Sequence, residues 1–261
     1  MSQSLLQVKG VTRIFESAKQ APVQALTPIH LNVEKNDFVT ILGPSGCGKS
    51  TLLRIVAGLD TPSSGQLYLN QAPITGPSAD RGMVFQSYTL FPWLTVAENI
   101  RYGLTEKGMN AKQQQEICQY YLNQVGLKDF ADHYPRQLSG GMQQRTAIAR
   151  ALANSPKMLL MDEPFGALDN QTRVMMQELL LNIWEKEKTT VMFVTHDIDE
   201  AIFMANRVVI FSARPGRIKT ELASPFEHPR HYTLKTTPEF MALKSQITEE
   251  IRQEMLDAFS A

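Results

Sequence analysis

Residues 43–51, with the sequence GPSGCGKST, have the types and the spacing that bind the phosphate groups of a nucleotide. They fit the pattern G-x-x-x-x-G-K-[ST] at every fixed position. Glycines let the backbone turn so that its N–H groups converge on phosphate oxygens, and a following helix N-terminus adds partial positive charge. Lys49 can reach the β- and γ-phosphates, and the Ser50 hydroxyl can bind Mg²⁺. The pattern therefore predicts a nucleotide site formed by Gly43, Pro44, Ser45, Gly46, Cys47, Gly48, Lys49, Ser50 and Thr51.

Two acidic residues stand directly after an apolar stretch at 157–161, which predicts a buried strand. In a parallel sheet the carboxyl ends of the strands lie on the same side as the phosphate loop. Asp162 is then placed to bind Mg²⁺ through its water shell, and Glu163 to polarise a water molecule that attacks the γ-phosphate. Two acids at a strand end are also ordinary turn residues, and it is the phosphate pattern that favours the catalytic interpretation.

His196 and Gln86 follow two further apolar segments, at 191–194 and 82–85. An imidazole at such a strand end can form a hydrogen bond with the γ-phosphate. The amide oxygen of Gln86 suits Mg²⁺ or the attacking water. Either residue taken alone is equally typical of a protein surface. The set as a whole predicts catalytic roles for Glu163, His196 and Gln86, and a Mg²⁺ site made by Ser50, Gln86 and Asp162.

The run at 138–145, LSGGMQQR, indicates a second anion site. A serine and two glycines precede a predicted helix at 146–153, so a hydroxyl and free N–H groups meet a helix dipole. One chain does not need two γ-phosphate sites for one nucleotide. A head-to-tail pair of identical chains does, because each copy can cover the nucleotide of the other. The residues predicted to do this are Ser139, Gly140, Gly141 and Gln143.

Strand and helix patterns alternate along most of the chain, which predicts an α/β protein with a mostly parallel sheet. The phosphate pattern lies between a buried strand at 37–42 and a helix at 52–57, so a glycine-rich turn with a chance lysine is disfavoured. A helical block at 96–153 interrupts the alternation. The other predicted elements are strands at 5–15, 27–42, 67–69, 190–194, 207–211 and 218–222, and helices at 170–187, 197–205 and 238–258.

The final predicted helix carries an apolar stripe along one side, which favours packing back on its own domain over binding to a partner. The stripe consists of Phe240, Leu243, Ile247, Ile251 and Met255.

The composition of the chain limits the classes of function that it can have. The chain has 261 residues and 26 basic against 26 acidic side chains, so its net charge does not suggest a nucleic-acid binder. We expect no secretory signal and no membrane span, and two cysteines do not predict a disulfide framework.

These motifs, in this order and spacing, resemble the nucleotide-binding subunit of ATP-binding-cassette (ABC) transporters over about residues 5–222. The resemblance implies a P-loop (RecA-like) core at 1–86 and 154–222, with an N-terminal antiparallel β subdomain. It also implies an inserted helical subdomain at 87–153 and a C-terminal extension at 223–261. ATP and Mg²⁺ are the implied ligands and a homodimer the implied assembly. Phe15 would stack on adenine, unless it is a core residue, and Asp169 would communicate between the two sites.

Partners are implied by the same resemblance. In bacterial importers the segment at 86–96 lines the groove that receives the permease, and here its large apolar residues are Tyr88, Leu90, Phe91 and Trp93. These four could instead fill a subdomain joint. Short motifs at 212–218 and 225–230 are similar to the nitrate/sulfonate/taurine importer group. The implied function is ATP-driven uptake of a small anionic solute, at the cytoplasmic face of the membrane, with integral membrane permease subunits and, indirectly, a solute-binding protein.

Soluble cassette ATPases of DNA repair or translation are the alternative. Repair proteins insert a long coiled coil between the phosphate loop and the Ser-Gly-Gly run, and no heptad repeat lies between Lys49 and Ser139. Translation-associated proteins usually carry two cassettes, whereas each motif occurs once here. A binding module without hydrolysis is disfavoured by Glu163 and His196. The sequence therefore favours a transport ATPase that has no nucleic-acid partner.

Overall fold

The computed structural model describes residues 4–17 and 20–260, and in them two β-sheets and seven α-helices surround two apolar clusters. The strands are β1 (Ser4–Ser17), β2 (Gln20–Glu34), β3 (Phe38–Leu42), β4 (Ser64–Leu69), β5 (Ala72–Pro73), β6 (Arg81–Val84), β7 (Met158–Asp162), β8 (Thr190–Thr195), β9 (Arg207–Phe211) and β10 (Ile218–Ala223). The helices are α1 (Lys49–Ala57), α2 (Val96–Glu106), α3 (Ala111–Gln124), α4 (Gly140–Ala153), α5 (Asn170–Glu187), α6 (Ile198–Met204) and α7 (Pro238–Ser260).

The central sheet has the strand order β10-β9-β3-β8-β7-β6. All neighbouring pairs from β9 to β6 are parallel, and β10 pairs antiparallel with β9 at one edge. Every residue of β3, β7 and β8 is buried, as expected for strands that are covered on both faces. The predicted α/β fold with a mostly parallel core sheet is confirmed.

Side chains of the central strands alternate between the two apolar clusters. On β8, for example, Val191 and Phe193 enter one cluster, whereas Met192 and Val194 enter the other. The first cluster lies under α4, α5 and α6, and the second lies between the sheet and α1. The position of every residue at the carboxyl end of a strand is fixed by this two-sided packing, because a slip by one residue would exchange the faces.

The second sheet is antiparallel, with the order β2-β1-β4-β5, and forms the predicted N-terminal β subdomain. The prediction of one strand over 27–42 is wrong, because β2 and β3 belong to different sheets. The chain turns between them at Asn36, which has φ 67°, and the Asp37 carboxylate accepts a hydrogen bond from the Glu34 N–H at 3.1 Å. The turn lets the chain leave one sheet and enter the other.

The helical block contains α2, α3 and α4, and residues 125–139 add only two 3₁₀ turns, Lys128–Phe130 and Pro135–Gln137. α4 starts at Gly140 and not at 146, and α1 starts at Lys49 and not at 52. In α4 the difference includes two helical glycines, which sequence rules assign to loops, whereas in α1 the added residues are Lys49, Ser50 and Thr51 of the phosphate pattern. By contrast, α5 and β9 have the predicted bounds.

The C-terminal helix α7 packs on its own domain. Phe240 and Ile247 are fully buried in the first apolar cluster, and Leu243 and Ile251 pack against it. Met255 does not complete the predicted stripe, because it is exposed. None of the helices within residues 4–17 and 20–260 is long and apolar enough to cross a membrane.

Candidate active site

Three neighbouring strands of the central sheet bring the predicted site residues to one edge. β3 ends at Leu42 and leads into the loop at 43–48, β7 ends at Asp162, and β8 ends at Thr195, directly before His196. Because the strands are parallel, their carboxyl ends lie side by side, and open α/β sheets bind ligands at this edge. Residues more than one hundred positions apart in the sequence therefore face the same space.

The loop at 43–48 takes a path that only glycine permits at two points. Gly46 has φ 73° and Gly48 has φ 99°, in the left-handed region. A Cβ atom on Gly48 would lie 2.6 Å from Leu26 Cδ2 and 2.9 Å from the Ala25 carbonyl oxygen. The β1–β2 hairpin therefore lies directly against the loop and holds its shape.

Helix α1 starts with donors that no side chain caps. Its N-cap residue is Gly48, which offers no side-chain hydrogen bond to the first turn. The free N–H groups and the helix dipole favour an anion at this point. The Lys49 ammonium, in a residue only 5% exposed, donates to the carbonyl oxygens of Gly43 and Pro44 at 2.8 Å each. The loop thus holds a buried cation beside uncapped N–H donors, which suits phosphate.

The Ser50 hydroxyl donates a hydrogen bond to the Asp162 carboxylate at 2.7 Å. Burial raises the pKa of Asp162 above its usual value of 3.8, against the lowering effect of the Ser50 hydrogen bond. A hydroxyl and a carboxylate oxygen are hard donors, and Mg²⁺ is usually bound by one or two protein oxygens together with water and substrate phosphates. Among the described residues there is no cluster of three or more His, Cys, Asp and Glu that would hold a metal ion by itself. The Ser50–Asp162 pair fits Mg²⁺ on these terms.

Glu163 turns away from its neighbour Asp162 because its backbone has φ 43°, an uncommon conformation for a residue with a side chain. Its N–H donates to the Val194 carbonyl oxygen at 2.9 Å, which ties this turn to β8. The Glu163 carboxylate accepts a hydrogen bond from His196 Nδ1 at 3.0 Å. The structure therefore places His196 as a partner of Glu163, whereas its hydrogen bond with the γ-phosphate stays a prediction. A carboxylate held in this way is suited to accept a proton from water.

A cavity of about 310 Å³ extends from the phosphate loop to the β1–β2 hairpin. It is lined by Phe15, Val23, Gln24, Ala25, Ser45, Gly46, Gly48, Lys49, Ser50, Thr51, Glu163 and Arg214. The Phe15 ring is 42% exposed and belongs to neither apolar cluster, so the alternative that it is a core residue is wrong. The guanidinium group of Arg13 lies 4.6 Å from its ring centroid. Phe15 therefore presents an exposed aromatic surface to the cavity that Lys49 also lines.

Sequence reasoning missed Arg214 as a residue of this cavity. Its Nε–H donates to the Gly46 carbonyl oxygen at 2.6 Å. The sequence does signal a turn at Pro215-Gly216, but nothing in the local pattern places that turn against a loop 168 positions earlier. The other missed residues, Val23, Gln24 and Ala25, likewise reach the cavity through the pairing of distant strands.

The predicted second anion site lies at the start of α4, outside this cavity. Ser139 is the N-cap residue, and its exposed hydroxyl accepts a hydrogen bond from the Met142 N–H at 3.3 Å. Gln143 Nε2 donates to the Leu138 carbonyl oxygen. None of the residues 139–143 lines the cavity at the phosphate loop. One copy of the chain therefore does not bring the two anion sites together.

Both glycines of the second site are packed by other parts of the same chain. A Cβ atom on Gly140 would lie 2.9 Å from the Tyr88 hydroxyl oxygen, and one on Gly141 would lie 2.8 Å from Thr172 Cγ2. Glycine is therefore required here for close packing within one copy, whatever else the site binds.

Comparisons with known proteins decide the family. Residues 26–166 match the family model described as ABC transporter. The chain belongs to the ABC transporter family. It is 47% identical over 253 residues to the nitrate import ATP-binding protein NrtD of Synechocystis sp., covering 95% of each chain. It is 48% identical over 243 residues to the aliphatic sulfonates import ATP-binding protein SsuB of Bacillus thuringiensis, covering 93% of this chain and 94% of the relative.

A solved structure supports the same family assignment. The dimeric, post-hydrolysis state of an ATP-binding cassette bound to ADP and Pi has a TM-score of 0.74 and 35% identity, and the match covers 85% of this chain and 100% of that one. The protein is thus an ABC-type ATPase with the P-loop fold. The predicted family, fold and enzyme class are confirmed.

Within this ABC ATPase, Asp169 is the N-cap residue of α5. Its exposed carboxylate accepts hydrogen bonds from the N–H groups of Gln171 and Thr172, at 3.1 and 3.0 Å. These hydrogen bonds, of which the one from Thr172 has the largest effect, lower the pKa of Asp169 below its usual value of 3.8. In one copy of the chain, Asp169 caps a helix. Its predicted role in communication between two nucleotide sites involves a second copy and stays a prediction.

Gln86 follows a strand end at some remove, and its predicted role as a Mg²⁺ ligand stays a prediction. The strand before it ends at Val84, so the prediction that Gln86 terminates a strand is wrong. Its side chain is exposed, and among the described residues no hydrogen bond joins it to Ser50 or Asp162. A Cβ atom on Gly166 would lie 3.9 Å from Gln86 Nε2, which puts the amide near the turn that follows Glu163.

The four residues predicted to contact a permease take four different positions. Only Phe91 lines a groove of about 640 Å³, which also includes Phe85, Thr89, Tyr102 and Arg150. Trp93 lies beside it, 69% exposed, with its ring centroid 5.6 Å from that of Phe91. Tyr88 contacts the start of α4, and Leu90 packs against the first apolar cluster. Tyr88 and Leu90 do not line this groove, and the contact of the four residues with a permease stays a prediction.

Proposed function

We propose that this ABC ATPase powers the uptake of a small anionic solute as the cytoplasmic subunit of a membrane importer. The observation that carries the proposal is the pair of relatives named for nitrate import and aliphatic sulfonate import, each matched over more than nine-tenths of this chain. The phosphate site at α1 supplies the ATP-dependent part of this function. The identity of the solute depends on the permease and on a solute-binding protein.

Two copies of the chain would form the working unit. The phosphate loop, Ser50 and Asp162 of one copy would hold Mg-ATP, and Ser139 and Gly141 of the second copy would cover it. Dimeric assembly of a related cassette supports this arrangement, and so does the absence of residues 139–143 from the cavity at the phosphate loop. Gln86 joins the metal ligands in this proposal only after the segment that carries it has moved.

The groups around the cavity supply the chemistry of ATP hydrolysis. Lys49 and the uncapped N–H groups of α1 bind the phosphates and stabilise the charge that develops during transfer. Ser50 and Asp162 would hold Mg²⁺, which would supply neutralisation of the phosphate charge. Glu163 accepts a proton from the attacking water, and the hydrogen bond from His196 fixes the orientation of its carboxylate.

The groove beside Phe91 is the proposed contact with the permease. Phe91, Tyr102 and the guanidinium of Arg150 form a partly exposed apolar and cationic surface, and Trp93 extends it. Aromatic and arginine side chains dominate such contacts. Movement of the helical block on ATP binding would then be passed to the membrane subunit through this surface.

An uptake assay tests the function directly. A strain that lacks this gene should fail to accumulate one of nitrate, taurine, an alkanesulfonate or bicarbonate, and the wild-type gene should restore uptake. The Glu163→Gln protein should bind ATP normally, lose turnover by about 10²–10⁴-fold and fail to restore uptake. Normal uptake of all four solutes in the deletion strain, or co-purification with ribosomes or DNA instead of a permease, would contradict the proposal.

A further inference from the structure

Arg214 lies in a turn that is held by hydrogen bonds on both sides of the residue. On one side the Ser212 hydroxyl donates to the carbonyl oxygens of Ala213 and Pro215, at 2.9 and 3.3 Å. On the other side the Gly216 N–H donates to the Ala25 carbonyl oxygen at 2.9 Å. Ser212 and Gly216 are both buried. The side chain of Arg214 is therefore presented from a fixed piece of backbone, although it is itself exposed.

The same turn is pressed against the phosphate loop. A Cβ atom on Gly216 would lie 2.1 Å from the Cys47 carbonyl oxygen, so the two backbones are in contact. A Cβ atom on Gly46 would lie 2.5 Å from Arg214 Nη2. The guanidinium group thus lies over the α-carbon of Gly46 and borders the nucleotide cavity.

Among the described residues, the hydrogen bond from the Arg214 side chain uses one of its N–H donors. A guanidinium group has five N–H donors, and the Nε–H is taken by the Gly46 carbonyl oxygen. In the described part of the chain, Arg214 forms no ion pair with a carboxylate. The Nη groups therefore carry a positive charge at the rim of a cavity whose other cation is Lys49. Arginine in this setting binds phosphate in a forked geometry.

We propose that Arg214 is a nucleotide-binding residue, whose Nη groups bind the diphosphate portion that ATP and ADP share while its Nε–H holds the phosphate loop. The inference rests on the proposed binding of Mg-ATP at this loop and adds a residue from outside the phosphate-binding pattern. It assigns the ligand class as a nucleoside di- or triphosphate. Lys49 approaches the phosphates from the floor of the loop and Arg214 from its outer edge.

Arg214→Gln tests the charge, because a glutamine amide can still donate to the Gly46 carbonyl oxygen. Arg217→Gln is the matched control. Arg217 belongs to the same turn, but its side chain is 63% exposed, lies near Glu254 and does not line the cavity. Calorimetric titration should show that Arg214→Gln weakens ATP and ADP binding by about tenfold. Arg217→Gln should change either affinity by less than about twofold, and displacement of ATP by adenosine should give the same adenosine affinity in all three proteins.

Three outcomes would overturn the inference. They are an unchanged ATP affinity in Arg214→Gln, an equal loss for adenosine and ATP, and an equal loss in the Arg217 control. If Arg214→Gln does not fold, Arg214→Lys carries the test, because it keeps the charge but loses the forked contact; ATP and ADP affinity should fall by about threefold while adenosine affinity stays unchanged, and an unchanged ATP affinity or an equal loss for adenosine would overturn the inference. Failure of wild-type protein to bind ATP would instead contradict the proposed function.

Discussion

The starts of α1 and α4 are both glycine-rich and both were predicted to bind phosphate, but the structure holds them in different ways. α1 begins after Gly48, without a side-chain cap, and next to the buried ammonium of Lys49. α4 begins after Ser139, whose hydroxyl already caps the first turn, and Gly141 is packed by Thr172. The first start has its uncapped N–H donors and its cation within one chain, as an anion site needs. The second is a helix end that is capped by its own serine, and this serine is exposed at the surface.

The largest effect that tests this difference is expected for Lys49→Ala. It removes the buried ammonium group beside the phosphate loop, so ATP affinity and hydrolysis should each fall by about 10²–10³-fold. Fluorescent-nucleotide binding and a phosphate-release assay measure the two losses. Lys128→Ala, at an exposed lysine of a 3₁₀ turn, provides the control. Retention of wild-type ATP affinity in Lys49→Ala would show that α1 is not the self-sufficient site.

A packing substitution at α4 should have the next largest effect. Gly141→Ala adds a methyl group 2.8 Å from Thr172 Cγ2, and such overpacking lowers the free energy of unfolding by about 1–3 kcal/mol. Thr172→Ser removes the opposing methyl group while keeping the hydroxyl. Urea denaturation should therefore show that the double variant recovers most of the loss. If Thr172→Ser gives no recovery, the contact between α4 and α5 does not explain the glycine.

Ser139→Ala tests whether the N-cap of α4 contributes to stability without contributing to ATP binding by a single chain. Loss of the hydrogen bond to the Met142 N–H should lower the free energy of unfolding by about 1 kcal/mol. ATP should still bind the dilute chain with wild-type affinity, because α1 is unchanged, whereas hydrolysis at high protein concentration should fall. Ser139→Asn retains a capping side chain and should restore stability. A weaker ATP affinity for the dilute Ser139→Ala protein would contradict the separation of the two sites.

The smallest effect concerns Asp162 and pH in the nucleotide-free protein. Burial raises its folded-state pKa above 3.8, so the folded protein holds this proton more tightly than the unfolded chain does. The stability that Asp162 contributes is therefore greatest below pH 3.8 and is lost as the pH rises through the raised pKa. Asp162→Asn, which can still accept from Ser50, should be more stable than wild type at neutral pH and lose this advantage in acid.

Denaturation of both proteins across that pH range checks the sign of the Asp162 effect. Asp129→Asn, at an exposed carboxylate of a 3₁₀ turn, gives the baseline. An advantage for Asp162→Asn that grows as the pH falls would contradict the burial argument.

The sequence was sufficient where one strong pattern acted locally. α5 and β9 have the predicted bounds because an N-cap aspartate or an apolar run marks their ends. Parallel strands also place the phosphate loop, Asp162 and His196 at one edge without any knowledge of their distances. The start of α4 was predicted too late, because propensity assigns glycine to loops while Gly140 and Gly141 are helical here.

Contacts between segments that are far apart in the sequence could not be predicted. Arg214 meets Gly46 only because β9 lies beside β3, and the turn after β9 therefore falls on the loop after β3. The direct hydrogen bond between Glu163 and His196 depends on the unusual φ of Glu163, which no local pattern predicts. Tyr88 and Leu90 differ from Trp93 in exposure because α4 and the first cluster cover them.

The contact between Gly141 and Thr172 joins the start of α4 to the loop that carries Glu163. Thr172 is held by the Asp169 cap, and Asp169 ends a segment of tight turns that begins at Glu163, with hydrogen bonds from Gly166 and Leu168. A residue at the start of α4 therefore lies one side-chain contact away from the short, hydrogen-bonded stretch that ends at the predicted proton acceptor.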